Sequence, residues 1–300
     1  MNLVLNIRNP SVNYLSKKQT KARWHLGRGL IDMINYTEIF PTRQELRPYI
    51  ESYVILALHT TKINTKVFLS RPGATLLISS IPFSANKQTI ETGVLLGISD
   101  GSKILNWKEM ATARGLIVKF SPYGLSRFTD IPMEHLGNEA LSASSVWGNS
   151  FRKTQNKLME TAHVTTQIEI AEAFLMKLFI KPNEIDKRIF RIADIIKTKD
   201  TCNSLESIIK EIPLSQRQIE RRFKALMGVN IQTFNRICHF ENVKSLLMEK
   251  QPISLTEVGY QAGYYDQAHF IREFKRFTAY SPKSFFEKAP FYRYISKLND

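Results

Sequence analysis

The chain has 300 residues, of which 43% are hydrophobic, enough for two domains that each bury a core. Its formal net charge is +15, from 42 Lys and Arg against 27 Asp and Glu, an excess spread along the chain that admits a polyanionic partner without identifying one. Cys202 and Cys238 are too few for a disulfide framework and lack metal-ligand spacing, and no apolar run approaches the roughly 18 residues of a membrane span.

In chain order, residues 1–38 are polar and basic without steady periodicity, and are expected to form a loosely attached basic arm. Met33 competes with Met1 as the start, and no secretory signal is expected because the first 30 residues hold six basic residues and no apolar core. Residues 39–182 read as a β-rich regulatory or effector-like domain with trailing helices. Tyr53–Leu58, Lys66–Leu69, Thr75–Ser79 and Gly115–Phe120 are short, β-branched-rich runs. Arg71-Pro-Gly73, Ile81-Pro82, Asp100-Gly101 and Ser121–Gly124 punctuate them as turns. Such a texture predicts a barrel, roll or sandwich rather than a parallel sheet, with an interior that holds a small ligand or is filled by side chains. From about 148 to 180 the period becomes helical, with Phe151 and Leu158-Met159 on one helix and Ile168, Ala171, Phe174-Leu175 and Leu178-Phe179 on a second.

Lys181-Pro-Asn183 ends that helix and marks the expected boundary of a C-terminal all-α domain, residues 183–290, followed by a tail at 291–300. Ile189, Ile192 and Ile196 give the first helix of this domain its face. Leu205, Ile208, Ile209 and Ile212 give the second, which Pro213-Leu214 breaks. Ser215 then caps a helix in which Gln218 completes a capping box. Ile219, Phe223 and Leu226 recur on one face of it, and Arg217, Arg221 and Lys224 recur on another. Residues 231–249 read as a long connecting helix, with Phe234, Ile237, Cys238, Leu246 and Leu247 inward. Beyond it, Leu255, Val258 and Ala262 form a short face with Gly259 small enough for close contact, and Gly263 ends that helix.

At Asp266 the design repeats, 51 positions after Ser215. Phe270, Phe274 and Phe277 take the apolar stripe, Ala268, Arg272 and Lys275 the other, and the register continues through Gly228–Phe234 over Ala279–Phe285. Each unit is two helices joined by a tight turn, a helix-turn-helix whose second helix enters the DNA major groove. A connecting helix about 28 Å long at 1.5 Å per residue would hold the two units at a set distance.

These residues resemble the DNA-binding region of the AraC/XylS family of bacterial transcription regulators over about 187–288. The likeness rests on Leu214-Ser215, Arg217, Ile219, Arg221, Phe223-Lys224, Gly228, Phe234 and Arg236 in the first unit. In the second it rests on Gly259, Gly263-Tyr264, Gln267, His269-Phe270, Arg272, Phe274-Lys275, Ser281-Pro282 and Phe285. The resemblance implies seven helices, with base contacts from Arg217, Glu220 and Arg221 in the first unit and from Gln267, Ala268, His269 and Arg272 in the second. The arginines suit guanine and Gln267 suits adenine, Ala268 offers only a methyl, and His269 lies beside the exposed stripe, where packing or a phosphate contact competes with base reading. Lys224 and Lys275, on the same stripes, suit phosphates. The chain departs from the family at Pro213, Ile231, His239 and Ala279, where glycine, proline, arginine and glycine are usual. Arg71-Pro-Gly73, Phe120–Leu125 and Trp147-Gly148 resemble, more faintly, the regulatory domain of one branch of that family.

The expected fold class is therefore α+β, and the expected function a sequence-specific DNA-binding transcription regulator in the cytoplasm, associated with the nucleoid. Double-stranded DNA is its principal partner; a small-molecule effector, RNA polymerase and a second copy are further candidates, and no cofactor or membrane partner is expected. Two alternatives stay open: a metal-dependent β-barrel enzyme using His59, His135 and His163, which lack ligand spacing, and an architectural DNA-binding protein without a ligand. No glycine-rich phosphate loop, nucleophile elbow or cysteine nucleophile motif supports catalysis.

Overall fold

A computed structural model describes residues 18–25, 31–59, 65–68, 70–85, 88–90, 92–107, 113–198, 209–248, 255–282 and 284–285. The chain is α+β. Among the described residues its N-terminal half carries two antiparallel sheets and two α-helices, and its C-terminal half is helical.

The larger sheet has seven strands in the order β1-β2-β3-β10-β5-β8-β11. They are β1 (Lys18–His25), β2 (Ile31–Ile39), β3 (Ile50–His59), β5 (Thr75–Ser79), β8 (Gly93–Leu96), β10 (Ala113–Phe120) and β11 (Ala140–Ser142). The smaller sheet orders β4 (Thr65–Phe68), β9 (Lys103–Trp107), β6 (Phe83–Ala85) and β7 (Gln88–Ile90). Strand alternation decides the layering. In β5, Leu76 and Ile78 point to a cluster that includes Phe151, Phe174 and Leu175, whereas Leu77 joins Phe83, Val94, Leu96 and Leu105 between the sheets. Strands β5 and β8 are thus buried on both faces and read as unbroken apolar runs, whereas β10 beside them alternates.

Helices α1 (Ala143–Glu160) and α2 (Val164–Leu178) cover the outer face of the larger sheet. Left-handed Gly148 kinks α1, and the wholly buried Glu172 of α2 accepts from the Thr42 amide at 2.7 Å, tying that helix to the chain ahead of β3.

The expectation of a loose arm over 1–38 is corrected in part. Lys18–His25 and Ile31–Ile39 form a hairpin continuous with β3, paired from Lys18 with Glu38 to His25 with Ile31. A ladder on a sheet edge is held by backbone groups, so it needs no amphipathic alternation, the signal whose lack suggested an arm. Residues 1–17 and 291–300 lie outside the described residues, as do Cys202, Leu205 and Ile208.

The C-terminal half contains α3 (Glu184–Thr198), α4 (Gln216–Met227), α5 (Ile231–Met248), α6 (Leu255–Gln261) and α7 (Gln267–Thr278). Ile189, Ile192, Ile219, Phe223, Phe234, Ile237, Phe240, Val258, Phe270, Phe274 and Phe277 form its core. Phe240 and Val243 of α5 are buried beyond the inward residues expected from sequence, and Leu246 is only partly so. Among the described residues no helix is long and apolar enough to cross a membrane.

Candidate nucleic-acid interface

The first candidate reading helix, α4, starts as its sequence predicts. The Ser215 hydroxyl accepts from the Gln218 amide at 3.4 Å, and the Gln218 side chain accepts from the Ser215 amide at 2.8 Å. Gly228, at φ +86°, ends the helix. Ile219, Phe223, Leu226 and Met227 are buried, while Arg217, Glu220, Arg221 and Lys224 are exposed.

The second, α7, repeats this arrangement. Asp266 accepts from the His269 amide at 2.7 Å, Phe270, Phe274 and Phe277 are buried, and Gln267, Ala268, His269, Arg272 and Lys275 are all exposed. Close packing of the preceding helix depends on Gly259, where a Cβ would stand 3.2 Å from the Phe270 ring. The His269 ring lies edge-on to buried Tyr264, with centroids 5.3 Å apart.

None of Arg217, Arg221, Arg272 and Lys275 is in an ion pair among the described residues, so the two stripes present cations to solvent. Glu220 accepts from Gln216 at 3.1 Å, and Lys224 stands 3.7 Å from Glu134, an exposed residue of the N-terminal half. A helix with uncommitted cations on one face can neutralise phosphates and present arginine forks to base edges.

The sequence reading missed the braces that fix these helices. Arg222 donates to Asp186 of α3 from Nε at 2.7 Å, with Nη2 at 2.6 Å. Fifty-one positions on, at the equivalent place in α7, Glu273 accepts from Arg236 of α5 through two bonds of 3.0 Å. The two units therefore use the same helix position for a forked arginine–carboxylate pair with the charges exchanged. The equivalence of 222 and 273 was visible in the repeat. Their partners, on other helices, were not.

A family model described as a helix-turn-helix domain matches residues 208–288. The chain is also similar to the HTH-type transcriptional regulator MtrA of Neisseria gonorrhoeae, 32% identical over 100 residues, which are 32% of each chain. Residues 208–288 are thus similar to a helix-turn-helix domain, of the kind that the AraC/XylS resemblance implies.

The chain spans about a third of the length of the curated relative it matches. Among solved structures it is similar to ToxT of Vibrio cholerae, with a TM-score of 0.47 and 14% identity, covering 78% of this chain and 98% of that one. A ToxT structure described as bound to an unsaturated fatty acid gives 0.45 and 14%, with 78% and 95% covered. Likeness at that level transfers no function. A helix-turn-helix domain is a DNA-binding module, and among the described residues no group of three or more His, Cys, Asp or Glu is arranged to hold a metal.

Proposed function

We propose that the chain is a sequence-specific transcription regulator that reads a bipartite DNA site, one major-groove segment through α4 and an adjacent one through α7. The observation that carries this reading is the pair of helices in one register, each with a cap, a buried stripe and an exposed cationic stripe. Arg217, Glu220 and Arg221, with Gln267, Ala268, His269 and Arg272, are the proposed base-facing residues; Lys224 and Lys275 are the proposed phosphate contacts. The N-terminal half, residues 39–182, is proposed to sense a small molecule or to mediate self-association. A break between α2 and α3 is supported by their cores, since Ile168 to Phe179 pack with the sheet and residues from Ile189 on with the C-terminal helices, where Ile98 and Tyr123 of the first half join them.

Two substitutions separate base reading from phosphate contact. Arg272→Ala is expected to relax preference at one base-pair position and to cost about 1–3 kcal/mol. Lys275→Ala is expected to weaken binding to every sequence and to reduce the salt slope by about one phosphate. Selection of binding sites from random duplexes, repeated across a salt series, measures both. An unchanged selection with Arg272→Ala would remove α7 from base reading. For the sensing role, thermal stabilisation by one member of a metabolite panel is expected, and uniform silence would favour self-association alone.

A further inference from the structure

The first reading helix is braced by a buried carboxylate that the N-terminal half also grips. Asp186, in the first turn of α3, is 2% exposed and has a cation on each oxygen. Arg222 of α4 holds Oδ1 at 2.6–2.7 Å, and Arg127, itself 6% exposed, donates from Nη1 to Oδ2 at 3.3 Å. Asn183 caps the turn by accepting from the Asp186 amide at 2.8 Å. Charges taken out of water are tolerated only when each is paired, and such groups are strongly destabilised when one partner is removed.

Arg127 is not an isolated contact. Asp186, Phe190 and Asp194 recur at i, i+4 and i+8 along one face of α3, and Tyr123 and Arg127, themselves four apart, meet that face. The Tyr123 ring stacks on Phe190 with centroids 4.0 Å apart, its hydroxyl donates to Asp194 at 3.3 Å, and the Arg127 guanidinium lies 5.4 Å from the Phe190 centroid. A stacked ring pair, a phenol–carboxylate bond and an ion pair thus seat one short turn of the N-terminal half on α3. Asp186 is the point from which that seat reaches α4.

The second unit is built differently. At the position equivalent to Arg222, Glu273 is held by Arg236, a residue of the C-terminal half. The N-terminal half reaches α7 through Asp100 and Arg276, a partly exposed pair of the kind that contributes little.

We infer that Asp186 is a positioning residue for DNA reading: it transmits the placement of the N-terminal half, through Arg127 on one oxygen and Arg222 on the other, to the first reading helix and not to the second. This rests on the reading of α4 as a base-contacting helix. An N-terminal half that shifts on α3 would therefore retune one half of a bipartite site and leave the other half as it was.

The test uses the full chain with Arg127→Met, Arg222→Met, the double variant and Arg127→Lys, which keeps the charge but loses the fork. Without DNA, amide exchange in α4 is expected to rise on the order of tenfold in Arg127→Met while exchange in α7 stays at the parent rate. With DNA, site selection is expected to lose preference in the half read by α4 and keep it in the half read by α7. The double variant is expected to depart from the sum of the two single ones, because both act through the same carboxylate. Should Arg127→Met fail to fold, Arg127→Lys is expected to show a smaller rise, again confined to α4. Unchanged exchange in α4, or equal acceleration in α4 and α7, overturns the inference. Faster exchange in α4 with wild-type preference in both half-sites upholds the brace and overturns base reading by α4.

Discussion

Ala279 shows what a single residue costs at a helix end. It stops α7 at φ +63°, its amide donating to the Lys275 carbonyl at 2.8 Å, as Gly228 donates to the Lys224 carbonyl at the end of α4. A Cβ in the left-handed region costs about 1–2 kcal/mol, and glycine returns part of that through the freer unfolded chain. Ala279→Gly is therefore expected to stabilise the fold by about 0.5–1 kcal/mol, read as a higher denaturant midpoint at constant slope. A midpoint at or below the parent value would mean that the turn is not strained. The departure was legible in the sequence because Gly228 aligns with Ala279 in the repeat. Cys238 teaches the converse: its position on the inner face of α5 was legible, but burial that pushes its thiol up to about 12 follows from packing.

At the scale of elements, α4 and α7 were readable almost to the residue because cap, stripe and stop all lie within twelve or so consecutive positions. What holds α4 in place was not readable. Its end abuts residues 133–137, where a Cβ on Gly137 would lie 2.3 Å from the Gly228 carbonyl and one on Gly228 would lie 2.6 Å from the Met133 carbonyl. Two glycines from distant parts of the sequence thus meet at one contact, Gly137 against the Gly228 carbonyl and Gly228 against the Met133 carbonyl. Gly137→Ala is expected to force that contact apart at a cost of about 1–3 kcal/mol, the range for overpacking, measurable as a lowered unfolding midpoint. Full retention of stability would show that the contact is not held in solution.

Across the whole molecule, charged side chains join the two halves at several points. Lys197 of α3 and Arg71 both pair with Glu51 of β3, Lys244 of α5 donates to the Ser70 carbonyl at 3.0 Å, and Arg276 of α7 pairs with Asp100. Burial pushes the Glu51 carboxyl up, but Arg71 and Lys197 together outweigh it and hold the group below its ordinary 4.5. A carboxyl depressed in the folded state adds stability that is complete above the unfolded value and is lost as pH falls through the folded one. The stability difference between the parent and Glu51→Gln is thus expected to be constant near neutral pH and to shrink as pH drops below 4.5. Denaturant midpoints across an acid series measure it, and a difference that grows toward acid would exclude the pairing.

By itself the sequence determined the two repeated helices, their caps and cationic stripes, the long helix between them and the β-rich character of the first half. Each depends on hydrogen bonds and periodicities that close within a few turns or one strand. Only the tertiary structure decided that 18–39 is a hairpin on the sheet edge, that Asp186 stands between Arg127 and Arg222, and that Gly137 faces Gly228. Apart from the pairs within the hairpin itself, those features join groups from 14 positions apart, Ile39 with Tyr53, to 91, Gly137 with Gly228, and a one-dimensional pattern carries no record of which distant partner satisfies a buried charge or fills a gap.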